Sequence, residues 1–171
     1  MFFDAQSPLV DSVSRAVIYP DFDEREIWLK EHHYDPENVN WCNLDVGKYP
    51  RDKGILKYYA CYTVDNIYEY YVFRSLIIHL NKLGALTGDS QFTLGHYKPF
   101  KKGGEHFPSN WIIQTLKDNS RASDVIPDKK EKWTWHEQME YIIQHMPQRV
   151  LYEEKLVNRC AELIQIVKGF Y

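Results

Sequence analysis

The segment from Asn66 to Leu83 leaves this chain few choices. Ile67, Tyr68, Tyr70, Tyr71, Val72, Phe73, Leu76, Ile77, Ile78, Leu80 and Leu83 fall on every side of a helix drawn through it. A helix apolar nearly all round has to be covered on every side. Asp65 stands where an N-cap is wanted, and Gly84 where a left-handed C-terminal residue is wanted. The spacing therefore predicts a buried central helix over 66–83. The 171 residues, 44% of them apolar and 26% charged, supply enough material for one domain, 1–171, with a real core.

The flanking sequence is read against that helix. Ser7-Pro8 starts a helix that carries Leu9, Val13 and Val17 and ends at Pro20. Asp21 and Glu24 open a second, reaching about His33 with Ile27 and Trp28 as apolar marks. Residues 36–54 read as an exposed irregular stretch, and 55–64, ambiguous between strand and helix, leans to helix. Residues 90–100 have the alternation of a short hairpin or wing, and 98–104 form a basic loop. Pro108-Ser109 introduces a helix to about Asp118, carrying Trp111, Ile112, Ile113 and Leu116, and 119–132 reads as exposed loop. Thr134 and Glu137 make a capping box for a helix with Trp135, Met139, Ile142 and Ile143, and a last helix carries Tyr152, Leu156, Cys160, Leu163 and Val167 before Gly169. The expected fold class is mainly α, with a minor β element: about six helices packed around the central one.

No apolar run approaches the ~20 residues that cross a bilayer, and Met1-Phe2-Phe3-Asp4 lacks the basic start of a signal peptide. Cys42, Cys61 and Cys160 are odd in number and outside any CxxC pair, which suits reduced thiols. A cytoplasmic protein without a membrane partner is expected. Charge is segregated along the chain: 10 acids and 4 bases in 1–50, 8 bases and 4 acids in 51–104, 9 bases and 10 acids in 105–171. The net of −3 disfavours phosphate binding over the whole surface but leaves room for a basic patch in the middle third.

The chemistry-bearing motifs are sparse. There is no G-x-S-x-G, P-loop or G-x-G-x-x-G. A hydrolase or metal enzyme would have to draw on His136 and Glu140, one helical turn apart, or on Cys42 with a distant histidine. No cofactor and no metal ligands are expected. Aromatics form 15% of the chain, including 13 tyrosines, a load that suits interfaces as well as cores. The leading expectation is a non-enzymatic protein-interaction module (adaptor, inhibitor or assembly protein) binding another protein or itself. Its contact residues would be Tyr97, Phe100, Lys101, Lys102, Phe107, Trp133 and Trp135. The alternative is nucleic-acid binding. Arg74 to Leu83, Gly84 and the polar strand ending in Tyr97-Lys98-Pro99-Phe100-Lys101-Lys102 resemble the second half of a winged helix. That resemblance implies phosphate contacts from Arg74, Lys82, Lys98, Lys101 and Lys102.

Overall fold

The computed structural model describes residues 8–15, 22–32, 61–99, 102–122, 132–148, 150 and 153–171. Along the chain run α1 (Pro8–Arg15), α2 (Phe22–Glu31), α3 (Val64–Leu83), β1 (Phe92–His96), β2 (Trp111–Thr115), α4 (Leu116–Ala122), α5 (Trp135–His145) and α6 (Glu154–Lys168). Short 3₁₀ turns at Gly88–Ser90 and Pro108–Asn110 lead into the two strands. The molecule is mainly helical with one small antiparallel hairpin. The expected loop at 36–54 and the ambiguous stretch 55–60 lie outside the described residues.

α3 is the buried centre that its composition demands, with Tyr68, Val72, Phe73, Leu76 and Leu80 almost wholly enclosed. Its cap is not Asp65 but Thr63, whose hydroxyl accepts from the Asn66 N–H while the Asn66 side chain accepts from the Thr63 N–H. Asp65 instead pairs with Arg25 of α2. At the other end Gly84 keeps a right-handed conformation, and Ala85 takes the positive φ of 47°. Gly84 is needed for space: a Cβ there would lie 2.9 Å from Leu86 Cγ and 3.3 Å from Met146 Sδ.

α6 packs along α3, placing Val157, Cys160, Leu163 and Ile164 in the shared core. α1 lies on α6, where the Gln165 side chain donates to the Val13 carbonyl. α2 lies on α3 through Leu29 and an edge-on contact of Trp28 with Tyr68. Phe170 and Tyr171 fold back over the Phe73 ring.

Residues 111–115 form a strand and not the expected helix, and α4 covers part of the stretch expected as loop from 119. Trp111-Ile112-Ile113-Gln114-Thr115 is aromatic and β-branched, and all five residues are buried. A short, wholly apolar run has no periodicity to separate strand from helix. β1 pairs with it antiparallel, Leu94 opposite Ile113.

A two-stranded hairpin is marginal by itself, and here side-chain amides finish it. The Gln138 amide on α5, fully buried, accepts from the Ile113 N–H (2.8 Å) and donates to the Ile113 carbonyl (3.0 Å). Tyr171 OH donates to the same Gln138 oxygen at 2.6 Å. Asn81 of α3 does the equivalent for Phe92 of β1, at 2.7 and 3.0 Å. Asn110 does so for Lys98, at 2.8 and 3.0 Å. Thr134 and Glu137 form the expected capping box that starts α5. Tyr141 OH, donating to Asp118 at 2.6 Å, ties α5 to α4.

Stripping the Gln138 amide leaves the Ile113 N–H and carbonyl and the Tyr171 hydroxyl buried without that partner, at ~1–3 kcal/mol each. Gln138→Ala is expected to lower the unfolding free energy by ~3 kcal/mol or more, measured by urea titration. Asn110→Ala, at the solvent-facing clamp, is expected to lower it by ~1 kcal/mol. Equal losses in the two variants would contradict this account of the hairpin.

Candidate functional site

The helical period divides α6 into two rims. While Val157, Cys160 and Leu163 go to the core, Lys155 and Asn158 stay exposed and Arg159 and Glu162 half-buried. α3 does the same at its C-terminal half, leaving Ile78 and Lys82 exposed and His79 half-buried. Between the two rims lies a cleft of about 530 Å³ lined by His79, Glu153, Lys155, Leu156, Asn158, Arg159 and Glu162.

Arg159 is held from two sides. Its Nη1 donates to Glu162 Oε2 at 3.0 Å and its Nη2 to His32 Nε2 at 3.1 Å. His32 can accept there because its Nδ1–H donates to the Trp28 carbonyl at 2.8 Å, and its ring stacks on Trp28 at 4.0 Å. His79 uses the same device: its Nδ1–H donates to the Ser75 carbonyl at 2.7 Å, leaving Nε2 as the nitrogen for a ligand. Burial lowers the His79 imidazole below its ordinary range, against the raising effect of the Ser75 carbonyl, and Arg159 and Lys82 lower it further. The cleft thus holds a neutral imidazole beside a fixed guanidinium.

The residues singled out by sequence lie elsewhere. Tyr97, Phe107, Trp133 and Trp135 are half-buried. Phe107 lies 5.4 Å from the Tyr62 ring, Trp133 5.2 Å from Tyr141, and Trp135 5.6 Å from Tyr171. Lys132 donates to the Pro108 carbonyl at 3.1 Å, which brings the 132–135 and 107–108 segments together. Lys82 and Lys98 are exposed, Arg74 and Lys102 half-buried. Phe100, Lys101 and Cys42 lie outside the described residues. His136 is exposed and Glu140 half-buried, and no group of three His, Cys, Asp or Glu side chains fit to hold a metal occurs among the described residues. Cys160 is a core thiol whose pKa burial pushes up to about 12. No described helix is long and apolar enough to cross a membrane. Sequence reading missed the cleft because its key contact joins His32 and Arg159, 127 residues apart. No local motif announces such a pair.

No protein-family model matches the chain, and neither a curated protein nor a solved structure matches it.

A second histidine pair is buried under the hairpin loop. His96 Nε2 lies 2.8 Å from His106 Nδ1, and Tyr62 OH donates to the His106 carbonyl. Burial lowers His96 to about 4; burial and then His96 lower His106 to about 3. Both would titrate near 6.5 in the unfolded chain. As pH falls from about 6.5 towards 4, the unfolded chain takes up protons that the native rings refuse, so stability falls. Glu69 acts in the opposite sense, because burial and then Asp65 raise it to about 7. The native chain keeps that proton between about 4.5 and 7, so Glu69's contribution grows as pH falls. The urea midpoint is expected to drop between about pH 6.5 and 4.5, and to drop more steeply in Glu69→Gln, which lacks the opposing group. A variant slope no steeper than wild type would refute this assignment.

Proposed function

We propose that the chain is a protein-interaction module that receives a polar segment of a partner protein in the α3–α6 cleft. One observation carries this reading: Arg159 is fixed at the cleft by Glu162 and His32 before any partner arrives. An arginine already immobilised loses little conformational freedom on binding, and arginine is enriched among the residues that dominate interface energies. Ile78, exposed on the α3 rim beside His79, adds apolar contact area. Lys155 and Arg159 are balanced in the lining by Glu153 and Glu162, which suits a polar protein segment better than a polyanion. This reading moves the contact from Tyr97, Phe107, Trp133 and Trp135, whose rings are half-buried, to the cleft.

A photo-crosslinking amino acid at Asn158, which is exposed and lines the cleft, tests it in cells of the native source. A discrete protein adduct is expected from position 158 and not from exposed Asp89. Its mass tells a second copy of this chain from a different protein. No adduct at 158, or one pattern from both positions, would remove the reading. Salt-sensitive oligonucleotide binding, lost when Lys82 and Lys98 become Glu, would transfer it to nucleic-acid binding.

A further inference from the structure

The cleft presents more donors than acceptors to a ligand. Lys155 and Asn158 are exposed on its α6 rim, and Arg159 keeps N–H groups beyond those given to Glu162 and His32. Glu162 is already engaged by Arg159, leaving Glu153 as the other acid in the lining. Across the cleft His79 has Nδ1 committed to Ser75, so any further proton it takes goes on Nε2.

We propose that the cleft is an oxyanion site, in which a carboxylate or phosphate group is held by Arg159 and Lys155 and by the Nε2–H of His79 once that ring is protonated. The proposal rests on the cleft being the interaction surface, and it names the chemistry of what enters. The groups facing His79 are Lys155, Arg159, Glu153 and Glu162 from the α6 side and Lys82 on its own helix, while His32 of α2 reaches the site through Arg159. The charges that act on the ring are Arg159 and Lys82, both cationic, so the field at His79 is positive. A cationic field disfavours the imidazolium in the empty cleft, and an oxyanion reverses that preference. Anion binding therefore tightens as pH falls through the His79 midpoint, and by reciprocity a bound anion raises that midpoint.

The ring resonances of His79, followed by NMR across pH, read this directly in the intact chain. Saturating inorganic phosphate is expected to raise the His79 midpoint by about one pH unit, a tenfold preference for the protonated ring. An N-acetylated hexaglutamate peptide serves as the second probe. A shift with both probes supports an anion brought by a partner's acidic segment, and a shift with phosphate alone supports the free ion. Lys155→Gln is expected to weaken phosphate binding about tenfold, the size of one charge-assisted contact. In His79→Gln, phosphate binding should persist but lose its pH dependence. A His79 midpoint that moves with neither probe, or a binding constant equally pH-dependent in His79→Gln, would overturn the proposal. An oxyanion response without a protein adduct at position 158 would overturn the partner reading while leaving the site in place.

Discussion

The Gln138 amide is the joint on which this structure turns. It occupies the position of a third strand beside Ile113, giving and accepting one hydrogen bond each, and it takes a further bond from Tyr171 at the end of α6's chain. One buried side chain thereby fixes α5 against β2 and holds Phe170 and Tyr171 over the Phe73 ring. Asn81 repeats the device on β1, bonding both backbone groups of Phe92 from the last turns of α3. Two strands would be too few to stand alone, and the helices on either side complete them. The hairpin is consequently part of the helical core.

The same placement of α3 creates the cleft. Its N-terminal half carries the most completely enclosed aromatics, Tyr68 and Phe73, whereas its last turns leave Ile78 and Lys82 on the surface. α6 lies along it with a true amphipathic period, so the seam that buries Cys160 and Leu163 also brings Arg159 and Glu162 to its margin. Arg159 then reaches across to His32, joining α2 to α6 where both flank α3. Core packing and cleft geometry are therefore two faces of one helix–helix contact. Changes in the packing of α6 on α3 would be felt at Arg159.

How much of this was legible in the sequence depends on the range of the interaction. α3 was readable because its apolar residues leave no polar face, and α5 because Thr134 and Glu137 form a local capping box. The cap at Thr63 was overlooked although it is equally local; an Asn replaces the usual Glu as its reciprocal partner. β2 was misread because Trp111-Ile112-Ile113 lacks periodicity and Pro108 serves a 3₁₀ turn as well as a helix start. Gln138 and Asn81 look like ordinary polar residues of helices until the strands they bond are placed beside them. The aromatic set at 97–107 and 133–135 has a simple resolution. Rings such as Phe107 and Trp135 pack against Tyr62 and Tyr171 and stay half-buried. Aromatic content alone does not distinguish a core from an interface.

The histidines show why position in the fold, and not residue type, separates structural from functional roles. His32, His79 and His145 each give Nδ1–H to the carbonyl four residues earlier, at 2.8, 2.7 and 2.8 Å. That common bond selects the tautomer and turns Nε2 outwards from the helix backbone. What Nε2 then meets decides the rest. For His32 it is Arg159, which makes the ring a support for the guanidinium. For His145 it is Asp118, at 3.7 Å, within the network that joins α5 to α4. His79 has the cleft before it, in a positive field and beside a guanidinium already held in place. His96 and His106, which bond one another under the hairpin loop and are kept neutral by burial, mark the opposite limit. Of these rings, His79 combines a fixed tautomer with access to a cavity, which is the combination that recognition requires.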